Sequence, residues 1–317
     1  MASQGKAPVM NSFEETPASH QPGNSDQDAS KQEPVQPDAV SGEYHPEVPP
    51  DQLTPAPPPD RQYPPDLQIS WSWHHLIVFI VFMFVSLVSV QTFFFASYAP
   101  HHRMTTQELE DYMLSKPQVA IGSTLVVYAL LLFFLYVTLA LLRGQPFWRT
   151  LGWRRIEPQS NELPRRPIFY LLGGCLVSLL VFALTSVIKT PENTPIEQVF
   201  KFKETAILFV VMAVLVAPLA EETLFRGYLY PMFARWFGVI PSIIVTGTLF
   251  GLMHGPQLGD AKSLILIMSI VGIIFTAARA RTGSVFASYL MHLGYNSLIG
   301  ISLLLSTHGF TRVPVTH

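Results

Sequence analysis

Three short groups of residues in the last third of this 317-residue chain carry side chains suited to hydrolytic chemistry. Glu221, Glu222 and Arg226 lie in APLAEETLFRGYLYPMF, residues 217–233; His254 lies in TLFGLMHGP, four residues after Phe250; and His292 lies in SYLMHLGYNS, four residues before Asn296. A carboxylate screened from bulk water becomes a stronger base. Imidazole N–H and amide NH2 donors on one helix face can meet the negative charge of a tetrahedral intermediate, an effect of about 3–4 kcal/mol per donor. Glu222 and Arg226 are spaced to pair on one helix face, which leaves Glu221 without an assigned partner. No Ser, Cys or Lys falls in a recognised nucleophile motif. Cys175 is the only cysteine, which excludes an intramolecular disulfide framework and a CxxC site. Glu221, His254 and His292 are also three plausible zinc ligands, but the HExxH helix that zinc would make convincing is absent. Chemistry without a cofactor is the favoured reading, with zinc as its alternative.

The elements that position these residues must be apolar. The chain is 49% hydrophobic and 13% charged, about half the charge of an ordinary soluble domain. Residues 1–66 hold 3 basic and 11 acidic side chains and 14 of the 27 prolines. The net charge of −2 therefore divides into −8 for this segment and +6 for the rest, and nothing in it calls for a nucleic-acid partner. Residues 1–66 read as a disordered, acidic, Pro-rich tail, best suited to a spacer. The first 30 residues are polar and acidic, unlike a cleavable signal peptide.

From residue 67 to 317 the pattern is that of an all-α polytopic membrane protein, a bundle of about seven, or eight, transmembrane helices. A crossing helix needs about 20 mostly apolar residues. Residues 76–95, 119–142, 168–188, 205–220, 238–254, 263–278 and 284–306 are the candidates, the fifth and sixth being short. Trp71, Trp73 and Tyr98 flank the first as interfacial aromatics do. The connection 143–166 carries Arg143, Arg149, Arg154, Arg155, Arg165 and Arg166, and the positive-inside rule places it, and with it the N-terminus, in the cytoplasm.

Within such a bundle each charge at mid-helix costs roughly 2.5–3.5 kcal/mol, so Glu221, Glu222 and Arg226 require a reason. Pro218 just upstream can loosen the helix. If the fourth and fifth spans form a hairpin turning at Phe237 and Gly238, Glu221 and His254 face each other at one level. Counted from Thr205 on the outer side and from Ser284 on the inner side, a rise of 1.5 Å per residue puts Glu221 about 6 Å, and His292 about 12 Å, from the cytoplasmic surface. His254 at that depth implies an extended or re-entrant link over 255–262.

With these residues placed, the chain resembles the CPBP family of intramembrane endopeptidases, which includes the CAAX prenyl proteases and bacteriocin-processing and immunity-associated (Abi-like) relatives. The family's ordered signatures EExxxR, FxxxH and HxxxN correspond to Glu221-Glu222 with Arg226, Phe250 with His254, and His292 with Asn296. The resemblance covers about residues 205–306. It implies that Glu221 and His254 bind and activate water, that His292 and Asn296 hold the oxyanion, and that Glu222, Arg226 and Phe250 support them. It also implies a peptide or lipidated protein substrate reached from the bilayer of a plasma (bacterial inner) membrane.

Three function classes remain open on sequence: an intramembrane protease, metal-free or zinc-dependent; a non-catalytic membrane-binding or bacteriocin-immunity-type protein; and a proton-coupled transporter. The transporter is disfavoured by the lack of an inverted repeat or paired broken helices. Proteolysis that depends on Glu221 distinguishes the first from the others.

Overall fold

The computed structural model describes residues 63–100, 103–156, 166–188 and 194–311; the tail reading for 1–62 and the expectation for Arg165 lie outside them. Every regular element among the described residues is helical. We number the longer helices α1 (Trp73–Tyr98), α2 (Thr106–Leu114), α3 (Ser123–Leu141), α4 (Pro167–Thr185), α5 (Lys203–Phe237), α6 (Val239–Met253), α7 (Lys262–Thr282) and α8 (Val285–Ser306).

Five of them, α1, α3, α4, α5 and α7, are long and apolar enough to cross a membrane. The other two expected spans also form helices but fall short of that measure. Helix α6 has only 15 residues. Helix α8 has 22, but His292, Tyr295 and Asn296 dilute its apolar character.

Local chemistry explains where the helices stop and turn. Thr105 and Glu108 form a reciprocal capping box at the start of α2, satisfying amides that the first turn leaves free. Gly238, at φ 83°, makes the turn between α5 and α6, a conformation that a side chain would strain. The Ser284 hydroxyl accepts from Phe286 N and caps α8.

Helix α5 is the least regular and the most enclosed. It buries 44% of its most apolar stretch, against 17% for α1. Two wide π-type turns, Met212–Val216 and Thr223–Leu229, each end just before a proline-containing turn, at Pro218 and Pro231. Proline has no N–H to bond the preceding turn, and a wider turn is one way for the helix to absorb that loss. Loosening at Pro218 thus takes the form of a π turn.

The closest helix pairings are α4 with α8 and α6 with α7. At the first, a Cβ on Gly174 would collide with Met291 O, and one on Gly294 with Leu171 O. Backbone therefore meets backbone on both sides of His292, which fixes the ring's height in the bundle.

Four expectations change. The tail boundary at 66 is too late, because residues 63–66 pack on the bundle. Tyr63 Oη donates to Arg235 O (3.3 Å), Arg154 Nη2 donates to Pro65 O (3.2 Å), and Arg279 Nη1 donates to Asp66 Oδ2 (3.1 Å). Trp71 is a core residue, 4% exposed and stacked on Tyr228, while Trp73 is half exposed. The apolar stretch bounded at 205–220 belongs to a longer helix: α5 runs from Lys203 through the charged residues to Phe237, at the expected hairpin turn, and Glu221 lies near its midpoint. Finally, residues 255–262 make a compact connection with a 3-10 turn at Pro256–Leu258 and a left-handed Gly259. Because α7 packs directly back on α6, no extended link is needed.

Candidate active site

Helix α5 presents its two glutamates to different surroundings. The Glu222 side chain is fully buried, whereas Glu221 keeps 13% of its side-chain surface exposed. Glu221 is thus the less enclosed of the two.

Glu222 and Arg226 do pair: Arg226 Nη1 donates to Glu222 Oε1 at 2.7 Å with both side chains wholly enclosed. Arg226 uses its other nitrogens as well, Nε donating to Thr276 Oγ1 (3.1 Å) and Nη2 to Gly272 O (2.8 Å). Its guanidinium lies 4.5 Å from the Phe250 ring centroid and 5.6 Å from that of Phe275. A buried charge is tolerable only when so satisfied, and here the partners come from α5, α6 and α7 together.

The same Glu222 oxygen orients the first chemical group of α8. His292 Nδ1 lies 3.0 Å from Glu222 Oε1, and since a carboxylate only accepts, Nδ1 carries the proton. Nε2 is thereby aimed at Glu221, 3.9 Å from its Oε2. That gap is too long for a direct hydrogen bond and suits a bridging water. Phe250 and Phe275 flank the ring at 5.7 and 5.2 Å.

His254 stands at the end of α6, its ring 4.6 Å from Phe250. Its Nδ1 lies 2.7 Å from Phe250 O, a carbonyl that can only accept, so in the neutral ring Nε2 is the free base. No hydrogen bond or ion pair joins His254 to Glu221; Phe250 stands between His254 and His292. The hairpin expected from sequence is formed, without a hydrogen bond or ion pair between Glu221 and His254 across it. Asn296 Nδ2 donates to Ala213 O (2.7 Å), within the first π turn of α5. Its amide has a second N–H to offer.

Sequence reasoning missed several residues around this cluster. Tyr128, on α3, donates its Oη–H to Glu221 Oε1 at 2.6 Å; nothing in the sequence set it apart from Tyr136 in the same apolar run. Trp153 Nε1 donates to Thr223 Oγ1 (3.1 Å), next to Glu222. The arginine-rich connection, used in the sequence only as a marker of sidedness, is therefore a wall of the site. Its Gly152 O accepts from Val285 N, and its Arg154 O from Ser284 Oγ, at the start of α8. Thr276 and Gly272, partners of Arg226, carried no motif.

Among the described residues no three His, Cys, Asp or Glu side chains converge as ligands of one metal ion. Glu221, His254 and His292, the zinc alternative, are not gathered into one ligand set in this arrangement, although the Nδ1 contact of each histidine leaves its Nε2 free, as in a metal-bound imidazole.

Residues 203–298 match the family model described as Type II CAAX prenyl endopeptidase Rce1-like. The match takes in every residue of the cluster on α5, α6, α7 and α8, and it supports assignment to the CPBP family of CAAX proteases. The chain is also 28% identical over 155 residues to an uncharacterized 24.3 kDa protein of Escherichia coli, covering 46% of this chain and 69% of that one. No solved structure matches the chain.

Proposed function

We propose that this chain is an intramembrane endopeptidase that hydrolyses a peptide bond of a lipidated or membrane-ending substrate with activated water and without metal. The observation that carries this reading is the half-open pair formed by Glu221 Oε2 and His292 Nε2, 3.9 Å apart. Behind it lies the closed Glu222–Arg226 pair.

Glu221 takes the proton of the attacking water and returns it to the departing amine as the C–N bond breaks, with His254 Nε2 as the second basic group on the water's path. Tyr128 holds the Glu221 carboxylate in place through Oε1 and leaves Oε2 for the water. As an imidazolium, His292 donates from both nitrogens, so Nε2–H can meet the oxyanion while Nδ1–H stays on Glu222. The two carboxylates beside it are the counter-charges for that form. The second N–H of Asn296, one helical turn along α8, completes the donor pair. Glu222 and Arg226 position His292 and take no part in bond making.

The match to a prenyl endopeptidase family and the apolar helices around the site support a substrate delivered by the bilayer. The test uses purified protein in lipid with an S-farnesyl cysteine peptide, alongside terminal-peptide mapping of membranes from cells with and without the intact site. Glu221→Gln should abolish cleavage and keep the protein folded, and a chelator should leave the rate unchanged. Full activity of Glu221→Gln would reject the reading.

A further inference from the structure

The N-terminus of α1 opens into a cavity of about 210 Å³ whose walls include Tyr63, Trp71, Ser72, Trp73, Arg235 and Trp236. Ser72 is the N-cap of this 26-residue helix, but its side chain makes no capping bond, and the first turn carries no acidic residue. Leu76 N, bonded to Ser72 O, is the first α1 amide with an acceptor among the described residues, so the N–H groups of Trp73, His74 and His75 stay unspent. Arg235 uses Nη1 on Ile69 O (3.0 Å) and lies 4.8 Å from the Tyr63 ring centroid; its remaining N–H groups have no acceptor among the described residues. Trp71 is buried, yet its Nε1–H has no partner either. The described walls contain no carboxylate. Unspent amides at a helix start, an arginine and an indole donor together make a site for an anionic oxygen.

The surroundings select the anion. Trp73 begins one helix of membrane-crossing length and Phe237, beside Trp236, ends another, which puts the cavity at the height of lipid headgroups. Trp73 and Trp236 are half exposed, as interfacial aromatics are. Beyond Trp73, Ile77, Val81, Phe84 and Val88 follow at helical spacing and are all exposed, so one face of α1 forms an apolar track that starts at the cavity. A soluble anion would use the donors but not the track. We propose that the cavity binds the phosphate of a membrane glycerophospholipid, with the acyl chains lying along that face of α1. The bound lipid caps α1 in place of the side chain that Ser72 does not supply, and it ties residues 63–72 to the end of α5. The proposal stands apart from the endopeptidase reading, since it uses none of the residues placed in that site.

The test is native mass spectrometry of the full chain, released from detergent and titrated with one probe at a time: phosphatidylglycerol, a diacylglycerol with the same acyl chains, and glycerol 3-phosphate. The tightest phosphatidylglycerol should bind about tenfold or more better than diacylglycerol, the size of one charge-assisted hydrogen bond, and should raise the melting temperature as it saturates. Glycerol 3-phosphate, which lacks the acyl chains, should bind far more weakly than the lipid. Ser72→Asp places a carboxylate on the same amides. Because aspartate is a good N-cap at the positive end of a helix, this variant should melt no lower than the parent without lipid, yet bind phosphatidylglycerol about tenfold more weakly and diacylglycerol unchanged. Arg235→Gln, which adds no negative charge, should weaken phosphatidylglycerol binding several-fold. Equal binding of phosphatidylglycerol and diacylglycerol, or parent-like phosphatidylglycerol binding by either folded variant, would overturn the proposal. So would glycerol 3-phosphate binding as tight as that of the lipid, which would make the cavity a site for a soluble anion.

Discussion

Arg226 and Arg279 are both enclosed, both paired with a carboxylate and both beside aromatic rings, yet they hold different parts of the molecule. Arg226 meets Glu222 on its own helix, one turn away, and spends all three nitrogens on three separate acceptors. Arg279 meets Asp66, 213 residues away, from a carboxylate that is 10% exposed, and its Nε finds no partner among the described residues. The first pair lies inside the bundle and orients His292. The second fastens residues 63–72 across the ends of α5 and α7. A saturated arginine is part of a site's frame; a half-used one is a staple.

That contrast is broken most severely at Arg226. Arg226→Ala leaves Glu222 buried without its counter-charge and should cost about 3–5 kcal/mol, seen as loss of folded protein on size-exclusion chromatography in detergent. Arg226→Lys should rescue little, since one ammonium cannot reach Thr276, Glu222 and Gly272 in the fork geometry. A Lys variant as abundant as the parent would show that charge alone suffices.

Asp66→Asn should cost roughly 2 kcal/mol, between the exposed and fully enclosed cases, measured as a lower melting temperature with specific activity retained by the folded fraction. A chain starting at Gln68 loses Asp66 together with buried Leu67 and should melt lower still. One starting at Arg61 should match the parent. If all three melt alike, the contacts of residues 63–67 contribute nothing to the bundle.

The two pairs also differ in how far the sequence betrays them. An i,i+4 Glu–Arg pair inside an apolar run announces itself, as do His254, His292 and Asn296, because each polar group at membrane depth needs a reason. The apolar runs could be read as helices because hydropathy is local, five of them long and apolar enough to cross a membrane. Asp66 could not: on its own it is one of eleven acidic residues in a polar stretch, and only the fold brings Arg279 to it. Tyr128 and Trp153 were equally hidden, since both read as ordinary aromatics of a membrane protein. The apolar bound at Ala220 was drawn short for a different reason. The charges at 221–226 look like the end of a span when taken alone, but once buried and paired they let the helix continue to Phe237.

Tyr128→Phe removes a single hydrogen bond to a charged group, about 1.5–3 kcal/mol, but from Glu221, the more accessible glutamate. It should leave the melting temperature within a degree or two, and under the endopeptidase reading it should slow turnover about tenfold or more with little change in KM. A fall in stability with turnover per folded molecule intact would make Tyr128 a packing residue.

The smallest effect belongs to Trp153, and it tests whether the two regions are separate at all. Its Nε1–H bond to Thr223 is neutral and worth about 0.5–1.5 kcal/mol, and phenylalanine preserves an aromatic face for Tyr289 and Trp148. Trp153→Phe alone should therefore lower stability only slightly. Its neighbour Arg154, however, donates to Pro65 O in the 63–67 segment, and the Arg154 carbonyl accepts from the Ser284 cap of α8. Trp153 thus touches the site through its ring, while its backbone adjoins the residue that holds the staple. Groups without shared partners add to within about 0.5 kcal/mol, whereas groups joined through one network do not. Combining Trp153→Phe with Asp66→Asn should give a melting loss that departs from the sum by about 0.5–1 kcal/mol. Strict additivity would show that the frame around Glu222 and the clamp at Asp66 are independent, and that Gly152–Ile156 merely lies between them.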